Sequence, residues 1–192
     1  MHVEDAQGEV SRVYLGGSVG QAVSGLLWLA SAGLATWHTP KSAILLLVLG
    51  GFAIYPATSI ALRLAGRPAA LGKDNPFRWL AIQAAFVLPL SMPLVAPVAA
   101  YRLEWFFPAM TVLLGAHYLP FATLYGQRSF LALAGLLAGS GIAIALWLPG
   151  HFSLAGWTTG VVLLVFALIG HLEWRQASRQ SIAAGARNGR AT

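Results

Sequence analysis

Apolar residues in this chain come in six long blocks, split by short breaks marked by polar residues or proline. They do not recur at the spacing of a half-buried strand or of an amphipathic helix. A helix crosses the hydrocarbon core of a bilayer with about 20 residues at 1.5 Å each. The blocks approach or reach that length and predict six membrane-spanning helices. They run from Tyr14 to Trp37, Pro40 to Leu64, Pro76 to Pro97, Trp105 to Tyr125, Ser129 to Leu148 and Ser153 to His171. Thr39-Pro40 and Asn75-Pro76 each offer a capping side chain ahead of a proline at the first helical position. Trp37, Trp79, Trp105, Trp147 and Trp174 lie near span ends, where indole rings favour the membrane interface; Trp28 and Trp157 fit that belt less well.

The pattern gives an all-α fold class, a polytopic membrane helix bundle of three parts. Residues 1–13 form a short polar N-terminus, residues 14–171 the six-helix transmembrane domain, and residues 172–192 a basic, disordered tail. The leader carries Glu4, Asp5 and Glu9 against Arg12, the wrong charge sign for a signal peptide, so the first block is read as a retained helix.

Composition strengthens this picture. Only 9% of the residues are charged and 57% are hydrophobic, with a mean hydropathy of +0.69. A soluble domain, at about 25% charged, covers its surface quite differently. The net charge of +6 then reads as a topology signal and not as a nucleic-acid footprint, because no basic patch is interleaved with aromatics. Of the 12 Lys and Arg residues, ten fall on one side of the predicted spans: Arg12, Arg63, Arg67, Lys73, Arg78, Arg128, Arg175, Arg179, Arg187 and Arg190. Only Lys41 and Arg102 fall on the other. The positive-inside rule therefore predicts both termini in the cytoplasm. The chain has no cysteine, so neither disulfide nor thiolate chemistry is available to it.

Candidate chemistry is sparse. Counting along each span from its cytoplasmic end, Gln21 and Gln83 lie roughly 10 Å deep, Tyr55 roughly 13 Å and His117 roughly 16 Å. Polar side chains in lipid are costly unless paired, so these four, with Tyr118 and Tyr125 on the fourth span, are the candidates for a polar pocket in the inner half of the bilayer. An intramembrane histidine serves as a proton relay or ligand contact, or else as a neutral structural group bonded to a carbonyl or a tyrosine; both readings stay open. Pro89, Pro93 and Pro97 recur every fourth residue and free the carbonyls of Ala85, Pro89 and Pro93. With Pro56 and Pro120 they are the candidate kinks or hinges. Small residues at four-residue spacing favour close helix packing, within the chain before between chains: Gly135, Gly139 and Ala143; Gly16, Gly20 and Ser24; Gly156 and Gly160.

No catalytic residue, metal set or cofactor is indicated. Gly139-Ser140-Gly141 resembles the serine motif of intramembrane rhomboid proteases, but Ser140 and His171 fall roughly 15 Å apart along the membrane normal. His171 and Glu173 do not share a helix face, so they are no metal pair.

Three segments carry a family likeness: GGFAIYPATSIALRLAG (residues 50–66), KDNPFRWL (73–80) and GAHYLPFATLYGQRSF (115–130). Together they resemble a family of small bacterial integral membrane proteins of unknown function, with His117 to Phe121 as the most specific piece and residues 15–170 covered. The resemblance implies a multi-pass protein of the bacterial cytoplasmic membrane and no particular activity. Two functional expectations remain. One is a small-solute transporter, channel-like protein or membrane sensor with a small-molecule ligand. The other is a non-catalytic scaffold or accessory subunit that binds a second copy or partner membrane helices.

Overall fold

The computed structural model describes residues 2–188, and side chains as far as Gln180. Six helices are long and apolar enough to cross a membrane. The chain runs α1 (Val3–Tyr14), α2 (Ser18–Trp37), α3 (Pro40–Leu64), α4 (Arg78–Tyr101), α5 (Phe106–Tyr125), α6 (Ser129–Trp147) and α7 (Leu154–Asn188). Single 3-10 turns at Leu15–Gly17 and Leu103–Trp105 precede α2 and α5.

The first span starts later than the apolar block suggested. Leu15, Gly16 and Gly17 all take left-handed backbone angles, with φ of 51°, 65° and 80°, and so end one helix before the next begins. A side chain at Gly17 would also lie 3.0 Å from the Phe130 ring, so this turn needs glycine twice over. The polar leader ahead of it is itself a helix, with Ala6, Val10 and Val13 buried.

Thr39 caps α3 as its sequence suggests, its hydroxyl accepting the Ser42 N–H at 3.1 Å. Asn75 does not cap α4, which begins three residues later. Instead its Oδ1 accepts the Phe77 N–H at 2.9 Å in a turn, and its amide reaches back to α1. The three prolines of α4 do not end it: the helix continues past Pro97 to Tyr101. At the other end of the chain, α7 runs beyond His171 to Asn188, so the first part of the basic tail is helical. Residues 189–192, with Arg190, lie outside the described residues.

Packing divides the helices into two groups. α5 is the central helix, seated on α6 and α4 and touching α7 and α1. Gly115 and Gly141 make the α5–α6 contact close, since a side chain on either would meet backbone of the other helix at 2.8 Å. α2 packs on α7 along Gly25 and Gly160, each of which would place a side chain 3.1 Å from the other's carbonyl. α3 leans mainly on α2, with Leu62 at its end buried beside Leu15 and Ala69. α3 and α4 make no substantial contact with one another, and both are largely exposed. Gly135 and Gly139, predicted to pack within the chain, face open space on the outer side of α6.

The deepest polar contact is a hydroxyl pair. Thr111 Oγ1 donates to the Phe107 carbonyl at 2.8 Å and therefore accepts from Thr159 at 2.8 Å, joining α5 to α7 inside the apolar core.

Candidate functional site

The separation of α3 from α4 leaves a cavity of about 710 Å³ between the α2–α3 pair and the α4–α5 pair. Each wall is a helical stripe. On α3 the lining residues include Leu47, Gly51, Tyr55 and Thr58; on α4 they include Arg78, Ile82, Ala85, Pro89 and Met92. Spacing of three and four places each set on one face. The floor is aromatic. Phe121, Tyr125 and Phe130 stack, with Phe121–Tyr125 centroids 6.1 Å apart at 13° and Tyr125–Phe130 centroids 4.9 Å apart at 26°. The His117 ring lies 5.0 Å from Phe121 and 5.5 Å from Tyr118.

Five of the six pocket candidates line this one cavity: Gln21 from α2, Tyr55 from α3, and His117, Tyr118 and Tyr125 from α5. Gln83 does not. It stands about 160° around α4 from Ala85, on the exposed outer face. Depth along a helix is readable from residue counting, whereas the rotation that points Gln83 outward is set by how α4 seats on α5. Among the prolines, Pro89 lines the cavity, and it frees the carbonyl of Ala85, another lining residue. Pro56, Pro93 and Pro97 are exposed and outside it; Pro120 is half-buried within α5. Tyr14, Ser24, Thr58 and Arg78 also line the cavity and went unforeseen. Two of them carried a signal: Ser24 follows Gln21, and Thr58 follows Tyr55, by three residues on the same helix face.

Hydrogen bonding is incomplete among the residues of this wall. Among the described residues, six buried side-chain polar atoms lack a protein partner. Three of them belong to residues of this wall: Gln21 Oε1 on α2, Thr58 Oγ1 on α3 and His117 Nδ1 on α5. The imidazole also faces the Ala84 backbone carbonyl of α4. Each imidazole nitrogen can donate or accept, according to the tautomer. An unpaired buried polar group costs about 1–3 kcal/mol. Gln21 Oε1 and Thr58 Oγ1 sit behind the wall, toward Gly170 of α7 and Gly20 of α2, while the Tyr55 side chain and Arg78 are exposed on the lining itself.

One end of the cavity is closed by α1. Val10 and Tyr14 contribute to its lining. Glu9 fixes this helix to the α3–α4 loop, its carboxylate accepting the Gly72 N–H at 2.7 Å and the Asn75 amide at 2.9 Å. Gln7 ties it to α5 by donating to the Thr123 carbonyl at 2.8 Å. The same end gathers Trp174 of α7 under the Arg67 guanidinium, 5.2 Å from the ring centroid. So the N-terminal helix, the basic 63–78 stretch, the end of α5 and the basic part of α7 share one end of the bundle.

Compared with known proteins, residues 3–173 match the model of a family described as being of unknown function (DUF7010). No curated protein matches the chain, and no solved structure does.

Proposed function

The chain belongs to the DUF7010 family, whose function is unknown, and we propose that it is a multi-pass membrane protein that binds a small molecule in the α2–α5 cavity, as a carrier or a sensor. One observation carries this reading. Gln21, Tyr55, Thr58 and His117, polar residues from three different helices, line one otherwise apolar cavity of about 710 Å³. Ligand cavities span roughly 300–1,000 Å³ and combine apolar walls with a few placed polar groups. In this reading the basic end faces the cytoplasm, in keeping with the positive-inside rule.

Gly51 supplies the test. It lines the cavity, and a Cβ added there meets nothing within 4 Å, so a tryptophan side chain can start from this position and occupy cavity space. Detergent-solubilised protein is titrated with a neutral dansyl amide, a fluorophore that carries a hydrogen-bond donor. Wild type is expected to give saturable emission above that of empty micelles, and Gly51→Trp to lose it at unchanged helix content and elution volume. Equal emission from both proteins excludes the cavity as the binding site.

A second reading, a scaffold that binds a second copy or a partner helix, is favoured by Gly135 and Gly139 facing open space on α6. Measuring association in mild detergent before and after substitution at Gly139 separates it from the first.

A further inference from the structure

The cavity is graded along its length. Measured along the helices from the basic end at 1.5 Å per residue, Arg78 stands at the start of α4 and Gln21 about 5 Å into α2. Thr58 is about 9 Å from the end of α3, and His117 about 12 Å from the end of α5. Beyond them the lining is almost wholly apolar: Leu27, Trp28, Leu47, Val48, Met92 and Met110. Arg78 is the one Lys, Arg, Asp or Glu side chain in the lining. From Arg78 to Met92 the α4 stripe spans 14 residues, about 21 Å. One leaflet contributes about half of the roughly 30 Å hydrocarbon core, so the stripe covers the chain region of one leaflet and its interface.

Access is lateral. α3 and α4 form the two sides of the opening without packing on each other, and their facing residues include the exposed Phe52, Tyr55, Ile82 and Phe86. A compact water-soluble solute leaves the apolar half of this cavity unused. A membrane amphiphile fills both halves, and in the orientation it already has in its leaflet: head toward the charged end, chain toward the bilayer centre.

We infer that the ligand is an anionic phospholipid, drawn sideways between α3 and α4 from the leaflet at the basic end of the bundle. This rests on the cavity being a binding site. The head's negative charge meets Arg78, with Arg63, Arg67 and Lys73 on the adjoining helix end and loop attracting such lipids to the opening. Its chain lies against Trp28, Met92 and Met110. A zwitterionic choline lipid lacks the net charge.

The absence of cysteine makes a single introduced thiol a local reporter. Full-length protein carrying Ala85→Cys on the cavity wall, or Gly135→Cys on the outer face of α6, is labelled with a small fluorophore and placed in phosphatidylcholine nanodiscs. Phosphatidylglycerol or phosphatidylcholine with brominated chains is then titrated in as quencher. The cavity label is expected to respond to brominated phosphatidylglycerol at a mole fraction about five-fold lower than to brominated phosphatidylcholine, the preference one basic residue near anionic lipid supplies. Arg78→Gln abolishes that preference, and the Gly135 label shows none. Equal quenching by both lipids at Ala85, or no quenching there, overturns the inference. If the dansyl amide still binds wild type and not Gly51→Trp, the cavity reading stands and only the lipid assignment falls.

Discussion

Asn75, only 3% exposed, reaches three partners at once. Its amide donates to the Ala6 carbonyl at 3.2 Å and to Glu9 at 2.9 Å, while its oxygen accepts the Phe77 N–H. It thereby holds the helix that closes one end of the cavity against the loop that leads into α4. Asn75→Ala removes all three bonds, leaving Glu9 with the Gly72 N–H alone, at a cost of about 1–3 kcal/mol. Faster hydrogen exchange is expected across residues 3–14, with α5 and α6 unchanged; equal exchange in the two proteins means that Gln7 and the buried Ala6 and Val10 hold α1 unaided. The sequence marked Asn75 as polar beside a proline, which is enough for a cap. It gave no sign of the partner 66 residues earlier, because that contact exists only once α1 folds back on the loop.

Among the helices, α6 shows how one spacing can serve opposite ends. Gly115 of α5 and Gly141 of α6 allow their helices to touch, and Gly135 and Gly139, on the opposite side of α6, touch nothing. Four-residue spacing of small residues brings them to one face; which face meets the protein depends on the large residues opposite. Here Phe130, Leu133, Leu137 and Ile144 are buried, and they turn the glycine stripe outward. Gly139→Leu removes no internal contact and raises helix propensity by about 1 kcal/mol. If the outer stripe binds a second copy, this change shifts the protein from dimer to monomer on analytical ultracentrifugation in mild detergent. An unchanged sedimentation profile means that the stripe is simply a lipid-facing surface.

On the scale of the whole bundle, charge is collected at one end. α1 with Arg12, the stretch from Arg63 to Arg78, and the α7 turn holding Trp174 beside Arg175 are joined by Glu9, Gln7 and the Arg67–Trp174 contact. Lys41 and Arg102 lie at the far ends of α3 and α4. The expected orientation puts the crowded end in the cytoplasm. Single cysteines at Glu4, Asp74 and Arg128 should then resist a membrane-impermeant maleimide in intact cells and react after lysis, while cysteines at Lys41 and His151 react in both. The reverse pattern inverts the orientation and places the lipid opening in the outer leaflet.

The sequence alone determined the number and placement of the membrane helices, because hydrophobic length is a property of consecutive residues and the bilayer sets the length required. It also determined that Gln21, Tyr55 and His117 share a slab, because depth follows from counting along a helix. Only the tertiary structure decided that these three meet at one cavity while Gln83 faces outward, that Thr58 and Arg78 join them, and that the glycines of α6 look away from the protein. Each of those outcomes depends on helix order and rotation. In an apolar chain most faces are equally hydrophobic, so local sequence leaves rotation free. Ridge-and-groove fit among α2, α5, α6 and α7 fixes it, and in doing so leaves α3 and α4 apart.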